Sequence, residues 1–393
     1  MSALQKQNRG EDFFYYEKLA LKCVGVWRTK DDSVGYKIYA SAVIAMFTCV
    51  YYIILAFDVF TQNLYDAMDS WVVFMGFSIE VFVIFSWMVN ANNFINLLQI
   101  MGKKYFVRNF YRYDSFEHSA ISKWYRYKNI YNATFLTTLL ISVVLQFIYT
   151  LTLRYIKSDP NEWKLRYGSI SFLNFKYSPV FEFLCVYQHL AVICGTVSLT
   201  TIFNIVVGTL YFIATQFIIL QNDIKMIVLD DDKHLVDNEK LKNFVDNHVR
   251  LLKLTNKVSE IFSKTIFAIF LGFVSASGLE MYLISVLPVK NLSNVTFFLE
   301  ISSGLFILFL ICAAANNIDN ESIRLAKAIY EVNFVGTSLY FQKSLTIILR
   351  QAQKPIEIKS VGIMNVSFIT FTAILRIIYS AYAMLKTVQS NNL

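Results

Sequence analysis

Seven stretches of this 393-residue chain are apolar for roughly twenty residues or more, about the length a helix needs to cross the ~30 Å hydrocarbon core of a bilayer. They are Ile38–Phe57, Trp71–Val89, Ile130–Leu153, Phe181 to about Leu220, Phe262–Leu287, Val295–Ala315 and Val361–Leu385. The fourth is too long for one straight span and is expected to be a tilted helix that continues beyond the bilayer. Lipid offers no partner for a bare N–H or C=O, so each run must satisfy its backbone internally, as a helix. Composition agrees: 56% of residues are hydrophobic and 16% charged, against about a quarter charged in soluble domains. The expected class is an all-α membrane protein with seven transmembrane helices.

The basic residues set an orientation. Seven Lys and Arg precede the first run, seven lie in the second loop, seven in the fourth and six in the sixth. The first loop has none, the fifth only Lys290, and the third has five. The N-terminus and even loops are therefore expected in the cytoplasm and the C-terminus outside. Two adjacent glycosylation sequons, at Asn291 and Asn294, agree with an outer fifth loop. The net charge of +8 is spread between apolar runs, which reads as loop charge and not as a nucleic-acid surface. No short apolar core with a cleavage site opens the chain, so no signal peptide is expected. The expected organisation is a cytoplasmic segment 1–37, spans one to four within 38–220, a cytoplasmic loop and helical extension 221–261, and spans five and six within 262–315. Cytoplasmic helices 316–360, a last span 361–388 and an outer tail 389–393 complete it.

Two polar regions carry apolar stripes at helical spacing. Leu241, Phe244, His248, Leu251, Leu252, Thr255, Val258 and Ile261 form one, which suggests that the fifth span begins as a long cytoplasmic helix. Phe341, Leu345, Ile348, Leu349 and Ala352 form the other, in a helix that Pro355 stops. Such stripes need covering, on each other or across subunits.

Little in the chain suggests catalysis. Cys23, Cys49, Cys185, Cys194 and Cys312 have no metal or redox spacing. The four histidines, His118, His189, His234 and His248, pair with no Cys, Asp or Glu at ligand distance in sequence. Asp230–Asp232 reads as a solvated loop tip, with a calcium contact as the alternative. There is no phosphate loop, GxSxG or HExxH. No enzyme and no cofactor are expected. Of the charges inside the runs, Glu80, Glu280 and Arg376 lie furthest from a run's end. Such residues are costly in lipid and are functional candidates, with snorkelling toward water as the alternative.

The C-terminal third resembles a family. Arg350-Gln-Ala-Gln353-Lys354-Pro355 is similar to the R-x-Q-K-P turn that precedes the last span of insect odorant receptors. Phe371-Thr-Ala-Ile-Leu-Arg376-Ile-Ile-Tyr379-Ser380-Ala-Tyr382-Ala-Met-Leu385 resembles their last span, with Ile378 and Ala381 as departures. Gln216–Leu220, His248–Leu252 and Glu260–Ser263 resemble the end of their fourth span and the start of their fifth. The short second cytoplasmic loop resembles the tuning receptors more than their co-receptor.

The resemblance implies an odorant-binding subunit of a heteromeric odorant-gated non-selective cation channel. It implies a tetramer with the co-receptor, in the plasma membrane of olfactory sensory neurons, at the dendrite. It also implies that the cytoplasmic helices form an anchor domain and that the last span lines the pore. Met384 and Val388 align with the family's hydrophobic constriction, with Thr387 beside them and Ser380 a turn deeper; such a ring gates by dewetting. Plain packing or lipid contact is the competing reading. A small volatile ligand needs a greasy pocket with few polar groups. Candidates are Val73, Phe74 and Phe77 on the second span, Ser142, Leu145 and Tyr149 on the third, Tyr187 and Ile193 on the fourth, and Ser277 and Met281 on the fifth. Ordinary interhelical packing competes for each. A gustatory-type channel, and a G-protein-coupled receptor with inverted orientation, are the alternatives.

Overall fold

A computed structural model of the chain describes residues 12–61, 68–102, 115–157, 159–168, 170, 173–230, 235–236, 238–286 and 292–391. Among the described residues, seven helices are long and apolar enough to cross a membrane. We number the helices in chain order: α1 Tyr15–Cys23, α2 Val34–Thr61, α3 Met68–Val89, α4 Ala91–Gly102, α5 Ser115–Ile156, α6 Val180–Lys225, α7 Asn238–Val286, α8 Leu292–Tyr330, α9 Leu339–Ala352 and α10 Phe368–Asn391. All but α1, α4 and α9 are span helices. Two small antiparallel ribbons join helices: β1 Val228–Asp230 with β2 Leu235–Val236, and β3 Lys359–Ser360 with β4 Met364–Asn365. The α2–α3, α5–α6 and α7–α8 connections mark what we call the upper end of the bundle. The lower end holds α1, α9 and the α6–α7 connection.

Helix α6 is the hub. It packs against α5, α7 and α8 and also meets α1, α2 and α3. Its 46 residues form one helix, longer than the bilayer is thick, as its unbroken apolar run implies. Between Thr200 and Leu220 almost every side chain is buried, because neighbours cover it all round. Helix α7 is likewise continuous over 49 residues. Its cytoplasmic-type stripe becomes a packed seam: Leu241, Phe244, His248, Leu251, Thr255 and Val258 are buried. On α9, Phe341, Leu345, Ile348 and Ala352 are buried, and Ser338 caps the helix by accepting from the Phe341 N–H. Both stripes are covered inside one chain, so the covering they were expected to need does not require a second subunit.

The last span begins later than the apolar run suggests. Residues from Val361 form the β3–β4 hairpin, turned by Gly362 at φ +68° and Val361 at φ +51°, and the helix starts only at Phe368. Helix α1 is the other departure. The polar 1–37 segment contains Phe14, Glu17, Leu21, Val26 and Trp27, all buried, and α1 docks on the lower part of α6. Lys128 of α5 forms an ion pair with Glu17 in full burial. Asn132 donates to Glu17 at 3.1 Å, and Asn204 of α6 donates to Asn132. This chain of buried polar groups ties α1 to α5 and α6.

Candidate functional site

Near the upper end an aromatic cluster gathers side chains from four segments. Tyr51 of α2 is fully buried, with Phe77 of α3 at 4.8 Å between ring centroids and Tyr187 of α6 at 5.9 Å. Edge-to-face contacts of this kind hold rings in defined positions. Tyr52 stacks on Phe74 at 5.2 Å, and Phe47 lies 5.9 Å from Tyr187. Val73, Leu55, Ala191 and Val192 fill the spaces between them.

A loop from the α5–α6 connection closes this cluster. Tyr167 is buried there, and its carbonyl accepts from the Tyr51 hydroxyl and from Gln188 Nε2 at 3.1 Å. Gln188 also donates to the Gly168 carbonyl at 2.9 Å. Gly168 takes φ +98°, and a Cβ there would lie 2.8 Å from Leu55 Cδ2, so the turn needs glycine. The Tyr167 hydroxyl donates to Gln146 of α5 at 2.6 Å. Burial pushes that phenol above its ordinary range, with nearby Arg166 opposing. The result is a packed aromatic cluster with a few fixed polar groups, the mix of side chains that small-molecule sites use.

One turn below Phe77, Glu80 is 3% exposed, and its Oε1 has no hydrogen-bond partner. The close approach of α3 to α6 there depends on Gly195, where an added Cβ would lie 2.1 Å from Glu80 Oε2. Ser277 of α7 is fully buried with its Oγ unpartnered, and Glu280 is buried beyond it. Unpartnered buried polar groups carry a desolvation cost and call for an explanation.

The structure therefore brings Val73, Phe74, Phe77 and Tyr187 together in one cluster. Ser277 is buried and Met281 packs on the main core, both on α7. Ile193 is half-buried and joins none of the aromatic contacts. On α5 the picture differs: Leu145 and Tyr149 are exposed and Ser142 half-buried, while Val143, Phe147 and Thr150 turn inward. Sequence reasoning missed Tyr51, Tyr52 and Phe47 of α2 and Tyr167 of the connecting loop. Only the adjacent tyrosines of α2 gave a hint, and that of Tyr51 and Tyr52 alone.

At the far end of the chain, α10 packs against α7 and α8 along one side. Ala381 meets Gly278 of α7, where an added Cβ would lie 3.2 Å away. The other side is bare: Met384 is 70% exposed, and Ser380, Thr387 and Arg376 are exposed as well. Ser380 donates to the Arg376 carbonyl at 2.9 Å and Thr387 to that of Ala383 at 2.9 Å, so both hydroxyls are satisfied within the helix. Asn291 and the side chains of Asn294 and Val388 lie outside the described residues. Among the described residues, no group of three or more His, Cys, Asp or Glu is placed to hold a metal ion.

Comparison with known proteins matches residues 61–379 to the family model described as 7tm Odorant receptor. The chain is similar to putative odorant receptor 92a of Drosophila melanogaster, 25% identical over 200 residues that cover 51% of this chain and 48% of that protein. It is similar to odorant receptor 67a of the same species, 28% identical over 154 residues covering 38% of this chain and 37% of that protein. The matched stretches thus span about half or less of these relatives. Its fold matches that of the insect olfactory receptor OR5 from Machilis hrabei in complex with eugenol, at a TM-score of 0.83 and 15% identity over 95% of this chain and 97% of that one. The same receptor in its other structure gives a TM-score of 0.79 at 16% identity, covering 98% of each chain.

Proposed function

The chain belongs to the 7tm odorant receptor family, and from that premise we propose that it is the odorant-binding subunit of an odorant-gated cation channel. It is a membrane protein of a receptor family, not of an enzyme family. The proposal extends to a tetramer with the family's co-receptor, to a cytoplasmic N-terminus, and to the plasma membrane of olfactory neurons.

The observation that carries the channel reading is the bareness of α10. Its apolar window is 11% buried in the single chain, the same share as that of α5, and what sets α10 apart is Arg376 on its exposed face, with Ser380 and Thr387 exposed as well. A helix with polar and charged groups on an uncovered face is poorly suited to lipid. It suits a water-filled pore shared with neighbouring subunits, with Met384 and Val388 as the hydrophobic constriction. Odorant binding falls to the aromatic cluster, with Val73, Phe74, Phe77 and Tyr187 joined by Tyr51 and Tyr167. Ser277 and Met281 lie on the neighbouring α7, and eugenol, bound by the fold relative, is a fitting first probe.

Whole-cell current under a panel of volatiles tests the reading, in cells with this chain, with the co-receptor, or with both. Fast cation current only in cells with both supports it. Silence across the panel in cells with confirmed surface delivery counts against it. Protease access to each terminus tests the orientation separately.

A further inference from the structure

At the lower end, a groove of about 700 Å³ opens between α7 and the segment that links α9 to α10. Lys264 lines one wall; Lys354 and Lys359 line the other. Its floor is held by side chains that bond the hairpin to α7. Ser259 Oγ accepts from the Lys359 N–H at 3.0 Å, and Ser360 donates to the Ser263 carbonyl at 3.0 Å. Two acids also line it. Glu357 is neutralised by Lys359 at 3.1 Å, while Glu260 lies one turn further from the membrane-spanning part than Lys264.

The depth of the groove is informative. Lys264 follows Phe262, where the apolar run of α7 begins, and the hairpin leads directly into α10. The lysines therefore lie level with the boundary between the apolar spans and the lower end. Beside them the hairpin tip exposes Ile363 at 89% and Val361 at 43%. Apolar side chains presented on a tight turn, beside exposed lysines, are suited to the headgroup boundary of a bilayer.

We propose that this groove binds the phosphorylated headgroup of an inositol phospholipid, with Lys264 and Lys354 as its charge contacts and the Ile363 tip seated among the acyl chains. More than one lysine lines the groove, and basic residues at the membrane boundary attract anionic lipid headgroups. The site lies at the base of α10, so occupancy would brace the last span against α7. The proposal rests on the orientation given above, which places this end at the anionic cytoplasmic leaflet.

The test uses the full chain in nanodiscs of phosphatidylcholine alone, with phosphatidylserine, or with a phosphatidylinositol bisphosphate. Native mass spectrometry reads the lipid retained and a melting curve reads the stabilisation. The bisphosphate lipid is expected to be retained in preference and to raise the melting temperature. The double variant Lys264→Gln/Lys354→Gln, at two exposed positions, should weaken that retention about tenfold while its melting in phosphatidylcholine stays unchanged. Ile363→Asp should weaken it too. Equal gains from phosphatidylserine, or a double variant that retains the lipid unchanged, overturn the site. Soluble inositol trisphosphate that displaces the lipid at equal concentration overturns the lipid assignment in favour of a free phosphate. This readout needs no odorant and no current, so its failure is separable from failure of the channel reading.

Discussion

Helices α6 and α10 are both apolar and both span-length, yet 61% of the apolar window of α6 is buried in the chain against 11% for α10. The difference separates two roles that hydropathy alone treats as one. A side chain on α6 between Thr200 and Leu220 is almost always surrounded by its own chain, and changing it costs folding. A side chain on the outer face of α10 is largely uncovered by its own chain, and changing it costs mostly what happens between chains. Stability and current should therefore respond to opposite sets of substitutions.

The largest effect is expected in the hub. Phe217 is fully buried, and Phe217→Ala should cost about 3–5 kcal/mol by opening a cavity, read as a lower melting temperature and poor surface delivery. A variant with wild-type melting would break the hub assignment. Nearly as large is the loss of one half of the buried pair. Lys128→Met alone leaves Glu17 uncompensated and should cost about 3 kcal/mol, whereas Glu17→Gln with Lys128→Met should recover most of it. A double-mutant cycle on melting temperature measures the recovery, and simple additivity would show that α1 is not held by this pair.

Intermediate effects belong to the seam where the two regimes meet. Gly278→Leu pushes a side chain into Ala381 and should cost about 1–3 kcal/mol through overpacking, and it should alter the channel's opening as well. The smallest stability effect is at Met384. Met384→Ala should fall within about 0.5 kcal/mol of the parent in melting, because the side chain is 70% exposed. It should nonetheless change conductance or resting current without reordering odorant potency. If odorant ranking changes and permeation does not, Met384 is not at a constriction.

The seven spans were legible because length and apolarity are properties of the chain alone. The long α6 and α7 were legible as well, one from an unbroken run and one from a stripe that continues into the span. The docking of α1 was not. Its buried residues sit among charged ones in a short segment, and Glu17 reads as a solvent residue until Lys128, far along the chain, is placed against it. The inward face of α5 was also hidden. A helix apolar all round has no period that separates lipid from protein, so Leu145 and Tyr149 look no different in sequence from Val143 and Phe147. The cluster around Phe74 and Phe77 was half legible. Its α3 and α6 members lay at matching depths in the expected spans, but the contribution of Tyr167 depends on a loop folding back between helices, which no pattern in the residues announces.

The continuity of α7 has a mechanical consequence. At about 1.5 Å rise per residue, its 49 residues make a rod of roughly 70 Å. Ser277, Gly278 against the last span, Lys264 and the packed seam down to Leu241 all ride on that rod. A tilt of about 5° around its midpoint would carry each tip by roughly 3 Å, with no hydrogen bond of the helix broken. Such a beam carries displacement from one end to the other, shared with whatever bending the helix itself allows.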